Sequence, residues 1–172
     1  MLLDEFNLTI DFWIKSLDDY DLVQLLKSPG TGSWSMGQLY NHIIGEMLFQ
    51  AEQIYACAQR NMNVEKSPND EGKKMLERND FPDMLIEGPP TNEHVVNPIG
   101  KEELIEGINS SKLLINRAYE FAINSPLNGK TEHPGLGFFG ADEWLQFCEM
   151  HLRHHIRQKS RIDNCLKKDY GR

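Results

Sequence analysis

Little in this sequence would staple it, anchor it or draw it to a polyanion. Its three cysteines, Cys57, Cys148 and Cys165, are odd in number, widely spaced and outside any CxxC pattern, which excludes a disulfide framework and a thiolate zinc site. Reduced, mostly buried thiols are expected instead. Positive charge is scarce: 18 Lys and Arg against 26 Asp and Glu leave a net charge of −8. That balance argues against a nucleic-acid footprint and against attraction to an anionic membrane, so the expected partner is a small-molecule substrate. Long apolar runs are missing, and MLLDEFNLTIDFW carries early acids without a basic start. It reads as neither a signal peptide nor a membrane span, and a cytoplasmic protein is expected. Period-2 alternation and internal repeats are also missing, which argues against a sheet and against a solenoid. No Ser-His-Asp set or kinase signature is present, and the glycines of GLGFFG lack the strand context of a phosphate-cradling loop.

What is present is helical periodicity. The 172 residues suffice for one core and call for no second domain, so a single domain over 1–172 is expected. Apolar residues recur at helical spacing in four long stretches, giving an all-α fold, a four-helix bundle with a long connection between its second and third helices. The first stretch, roughly 3–27, puts Phe6, Ile10, Trp13 and Leu17 on one stripe. The second starts at SWSMGQL, where Ser35 caps, Gln38 completes a capping box and Trp34 staples onto Leu39; it runs to about Arg60. The third spans about Lys101 to Asn124, with Leu104, Ile108, Ile115 and Tyr119 inward. The fourth starts at Gly140, with Asp142 and Glu143 suited to its positive end and Phe139 stapled onto Trp144, and reaches about Leu166. Between the second and third helices, 61–98 is rich in Pro, Asn and charge, with one short helix expected around Gly72 to Asn79. So long a connection often lines a functional site.

The chemistry gathers on the fourth helix, where HLRHHIRQ places His151, His154 and His155 within five residues. The stripe that continues from Trp144 runs through Cys148, His151, His155, Gln158 and Ile162, so His151 and His155 share the inward face one turn apart, and His154 points elsewhere. Two imidazoles at i and i+4 can converge on one ion. A third ligand has to come from another helix. The second helix offers His42, Glu46 and Gln53 at or beside its core-facing positions, and burying such groups unpartnered costs on the order of 1–3 kcal/mol each. A divalent metal held by imidazoles would compensate that cost and keep an open coordination position. Glu46 is the candidate general base or orienting group, Gln158 satisfies a buried group or serves the site, and His133 in HPG is a loop residue within reach of its mouth. Two readings stand beside the enzyme: a non-catalytic bundle binding a metal or ligand for sensing or stress response, and a metal-free polar network of core histidines.

SWSMGQLYNHIIGE, followed far downstream by HPGLGFFGADEWLQFCEMHLRHHIRQ, resembles the DinB/YfiT-like superfamily in its Trp-Ser helix start, the histidine after it and the final HxxxHxxQ. The likeness covers most of the chain, with 61–98 the least typical part. Where one close branch carries a Thr-type cap before the last helix, this chain has Gly140, which is also an acceptable cap. The resemblance implies a four-helix bundle with a divalent metal, commonly nickel or zinc, on His42, His151 and His155. It further implies thiol-dependent S-transfer or metal-dependent hydrolysis, with a low-molecular-weight thiol as a cosubstrate of the transferases. It admits a homodimer, which composition does not show.

Overall fold

The computed structural model describes residues 1–81 and 94–170 and is mostly helical. Its four long helices are α1 (Leu2–Ser16), α3 (Met36–Cys57), α5 (Lys101–Asn124) and α6 (Ala141–Tyr170); the short ones are α2 (Leu22–Leu26) and α4 (Asp70–Arg78). Helix α3 packs against both α5 and α6, while α1 lies on α6 and α5. No helix among the described residues is long and apolar enough to cross a membrane.

The stripes read from the sequence are the faces that pack. Phe6, Ile10, Trp13 and Leu17 are buried, Trp13 meets Tyr40 edge-on at 5.3 Å, and its Nε1 donates to the Leu152 carbonyl at 3.3 Å. On α5, Leu104, Ile108 and Ile115 are buried as expected; Tyr119 is half-buried, and Ser111 and Ala118 complete that face. The capping box at the start of α3 is formed, with Ser35 Oγ accepting from the Gln38 amide and Gln38 Oε1 accepting from the Ser35 amide, both at 3.0 Å. The Phe139 staple is present too, with its ring 5.2 Å from that of Trp144, and Gly140 donates its N–H to Glu143 Oε2 at 2.6 Å.

Two expectations need correction. The stretch 3–27 is not one helix: a 3-10 turn at Leu17–Asp19 ends α1, Tyr20 is extended, and α2 begins anew behind Asp21. The cause is local, because in SLDDYD the Asp21 side chain caps a new helix in a box with Gln24, which a continuous helix would have forbidden. The loop before α6 also contains strands: β1 (Thr131–His133) pairs antiparallel with β2 (Gly137–Phe139). With three residues each, they are too short to show alternation. Gly137 makes the pairing possible, since its φ is +85° and a Cβ there would lie 2.6 Å from the Asn69 nitrogen. Through that approach the hairpin binds the 61–81 segment, Phe138 donating to the Ser67 carbonyl and Asn69 to that of Leu136.

Candidate metal centre

His42 sits in the second turn of α3, which the Ser35 cap anchors, and its ring lies 5.0 Å from that of Trp34. His151 and His155 come from adjacent turns of α6. The Nε2 atoms of His42 and His155 are 3.0 Å apart, as are those of His155 and His151, and the three ligand atoms all lie within 4.8 Å of one another. His42 and His155 are each 7% exposed, and His151 is half-buried. Among the described residues this group could hold a metal ion.

Electrostatics keep the cluster neutral. Burial, with a smaller contribution from His154, lowers the His42 pKa to about 4. Burial and then the facing His42 lower His155 to about 3, and burial followed by the neighbouring histidines pushes His151 well below the ordinary value. Near neutral pH each ring therefore carries one N–H and one lone pair. A proton network satisfies this geometry poorly, because the single Nε2 of His155 faces two others at equal distance and can make only one well-directed hydrogen bond. A cation would engage all three lone pairs. The 3.0 Å separations also suit cis ligands at metal–nitrogen distances of about 2.0–2.1 Å.

The other candidates fall around this core. Gln158 Oε1 lies 2.9 Å from His155 Nδ1. His154 is outside the ligand group, its ring 5.2 Å from Phe81 and 5.3 Å, edge-on, from His155. An alternative register pairing His151 with His154 is set aside, because Cys148 is fully buried and His155 nearly so. Glu46 is half-buried and outside the ligand group; burial raises its pKa, and its charge acts on Cys148 of α6. Gln53 is half-buried and makes no hydrogen bond to the histidines. His133 lies on β1 rather than in a loop, packed against Phe139, Trp144 and Phe147 at 5.1, 5.3 and 4.6 Å.

Sequence reasoning missed the aromatic surround. Phe147 stacks on His151 at 6.0 Å and 14°, and its i,i+4 spacing was the available signal. Phe81, 5.8 Å from His151, arrives from a loop and had none. Both described ends of the long connection flank the centre. On one side Arg153 donates to the Asn79 carbonyl and Arg157 to Asp80, which holds Phe81 over α6. On the other, Ser35, Gln38 and Asn41 bind Asn97, Val95 and Val96 beside the start of α3. The expectation that this connection lines a functional site falls partly on 82–93, outside the described residues. No family model, curated protein or solved structure matches the chain, so its likeness to the DinB/YfiT-like superfamily rests on the sequence motifs.

Proposed function

We propose that this protein is a DinB/YfiT-like four-helix bundle that holds one divalent metal ion, nickel or zinc, on His42, His151 and His155 and acts on a small molecule by thiol S-transfer or hydrolysis. The observation that carries the reading is the convergence of three neutral Nε2 atoms, two pairs at 3.0 Å, within faces that otherwise bury apolar side chains. When bound, the ion would supply Lewis acidity, making a thiol or a water more acidic near neutral pH. Glu46, one turn along α3 from His42, would receive the proton, since burial moves its carboxylate toward the pKa a general base needs. Trp34, Phe81 and Phe147 would exclude bulk water and favour a substrate with an apolar part. The same reading takes a low-molecular-weight thiol as cosubstrate, a cytoplasmic setting and a homodimer, with no nucleic-acid partner at a net charge of −8.

A second reading, a non-catalytic metal-binding bundle, is favoured by the 7% exposure of His42 and His155. Two clefts among the described residues, one lined by Tyr55, Phe121 and Pro126 and another by Tyr20, Lys159 and Asp163, do not include the histidines. Metal content measured by mass spectrometry on untagged protein tests both. Near-stoichiometric nickel or zinc that is lost in His42→Ala and in His155→Ala is expected; no metal after reconstitution would refute both readings. Turnover of electrophiles with thiols, or of esters and amides with water, then separates the enzyme from the binding protein.

A further inference from the structure

The three imidazoles are not equivalent. A neutral imidazole offers one lone pair, and which nitrogen carries it depends on where the proton sits. His155 is the ring shared by both close contacts, its Nε2 lying 3.0 Å from each of the other two. If its proton were on Nε2, it would point into the centre of the cluster and oppose an incoming cation. If its proton were on Nδ1, the lone pair would face the centre. At Nδ1 the ring meets Gln158, whose Oε1 stands 2.9 Å away, one turn further along α6. A carbonyl oxygen can only accept, so this contact requires the proton on Nδ1.

We infer that Gln158 is a positioning residue, whose side-chain oxygen holds His155 in the Nδ1–H tautomer and so aims the Nε2 lone pair at a cation shared with His42 and His151. The metal half of this inference rests on the function proposed above; the tautomer half does not. The choice of amide orientation is consequential, because a rotated amide would present its NH2 group to Nδ1 and force the proton onto Nε2. Gln158 thus plays the part that outer hydrogen-bond partners commonly play for metal-binding histidines, fixing the tautomer and orienting the ring. Its side chain is half-buried, so the bond competes with little solvent.

Two measurements test it. Long-range proton–nitrogen correlation spectra of the metal-free wild type, with His155 assigned by comparison with His155→Gln, should show a protonated Nδ1 at His155. In Gln158→Leu the proton should redistribute toward Nε2. A wild-type His155 protonated at Nε2 overturns the inference, and that result does not depend on Gln158→Leu folding. Cobalt(II) affinity, from competition with a coloured chelator, should fall about 10- to 100-fold in Gln158→Leu and hold in Gln158→Glu, whose carboxylate also accepts. Equal melting of the two metal-free variants would show that the loss is not one of folding. Affinity in Gln158→Leu within twofold of wild type overturns the inference while leaving the metal site standing. A wild type that binds no cobalt overturns the proposed metal site and the metal half with it, and the spectra still decide the tautomer.

Discussion

Gln50 sits in the middle of α3 at 1% exposure, and among the described residues neither its Oε1 nor its Nε2 has a hydrogen-bond partner. Both atoms are inaccessible to a water-sized probe, so a bridging water has no room to reach them without displacing a neighbour. An amide buried this way forfeits its hydration, a cost of about 1–3 kcal/mol for each unsatisfied group, partly offset by the apolar part of the side chain. Methionine matches the unbranched length of glutamine and removes both polar atoms. Gln50→Met should therefore stabilise the protein by about 1–3 kcal/mol, which for a domain of this size raises Tm by roughly 2–4 °C per kcal/mol. Urea unfolding measures it directly: the midpoint should move up with an unchanged m value. Gln50→Glu, which buries a carboxylate in the same place, should lose several kcal/mol by the same logic. A Gln50→Met variant less stable than wild type by 1 kcal/mol or more would refute the reasoning, because it would mean that the amide makes a bond this packing does not contain.

Acid should unfold the metal-free protein early. His42 and His133 have pKa values of about 4 and His155 of about 3, all below the ordinary imidazole value, so the unfolded chain binds more protons than the fold once the pH drops below about 6.5. Stability is thus complete above that value and falls by up to about 1.4 kcal/mol per group per pH unit until the folded pKa values are reached. A urea midpoint that stays flat between pH 7.5 and 5 would contradict the shifts. Glu149, 4% exposed, accepts from Thr9 Oγ1 at 2.8 Å and from Arg153 Nε at 2.7 Å. Removing the guanidinium in Arg153→Met should cost about 2–4 kcal/mol by stranding that carboxylate, and adding Glu149→Gln should recover part of the loss in the same unfolding assay. Gly137→Ala should destabilise by more than about 1 kcal/mol, because it combines a positive φ with a close backbone approach, and the loss should appear as faster amide exchange at Asn69 and Phe138.

The long helices were legible because each buries a continuous stripe. Phe6, Ile10, Trp13 and Leu17 announce α1 by spacing alone, and Ser35 with Gln38 announces the start of α3 by its hydrogen-bonding chemistry. The His151–His155 pair was legible for the same reason, since one helical turn puts both on the face that continues from Trp144. Periodicity failed where it is blind to interruption. Leu22 and Leu25 keep up the apolar rhythm after Leu17, and only the capping ability of Asp21 signals that the helix has restarted. The hairpin lies below the length at which alternation exists, and its stability comes from pairing with residues 67–69, far away in sequence. Phe81 is the sharpest case. It flanks His151 and His154 because Arg153 and Arg157 bind Asn79 and Asp80 beside it, and no local pattern encodes that.

The buried polar groups of α6 separate structure from candidate function by how they are satisfied. Glu149 has Thr9 and Arg153, while Lys159 has Asp163 at 2.9 Å and the rings of Phe12 and Tyr20. Each of these groups is compensated by a partner of opposite charge or complementary hydrogen-bonding type, so packing and stability account for it. The histidine trio is different. Among the described residues its inward nitrogens have only one another, all three rings are neutral, and the one outward bond, from His155 to Gln158, leaves the inward lone pair bare. Hydrogen bonds alone would be made more economically by a single histidine facing a single acceptor. Three rings on two helices, flanked by Trp34, Phe81 and Phe147, lose more in desolvation than such a bond returns, and a shared cation, which the trio could hold, would balance it. Filling the centre should therefore raise the stability of the folded state by an offset that lasts down to the pH at which protons displace the ion, while the fall with acid remains because the unfolded chain still takes up the protons. Melting curves recorded with and without zinc across that range would sink the argument if they coincide.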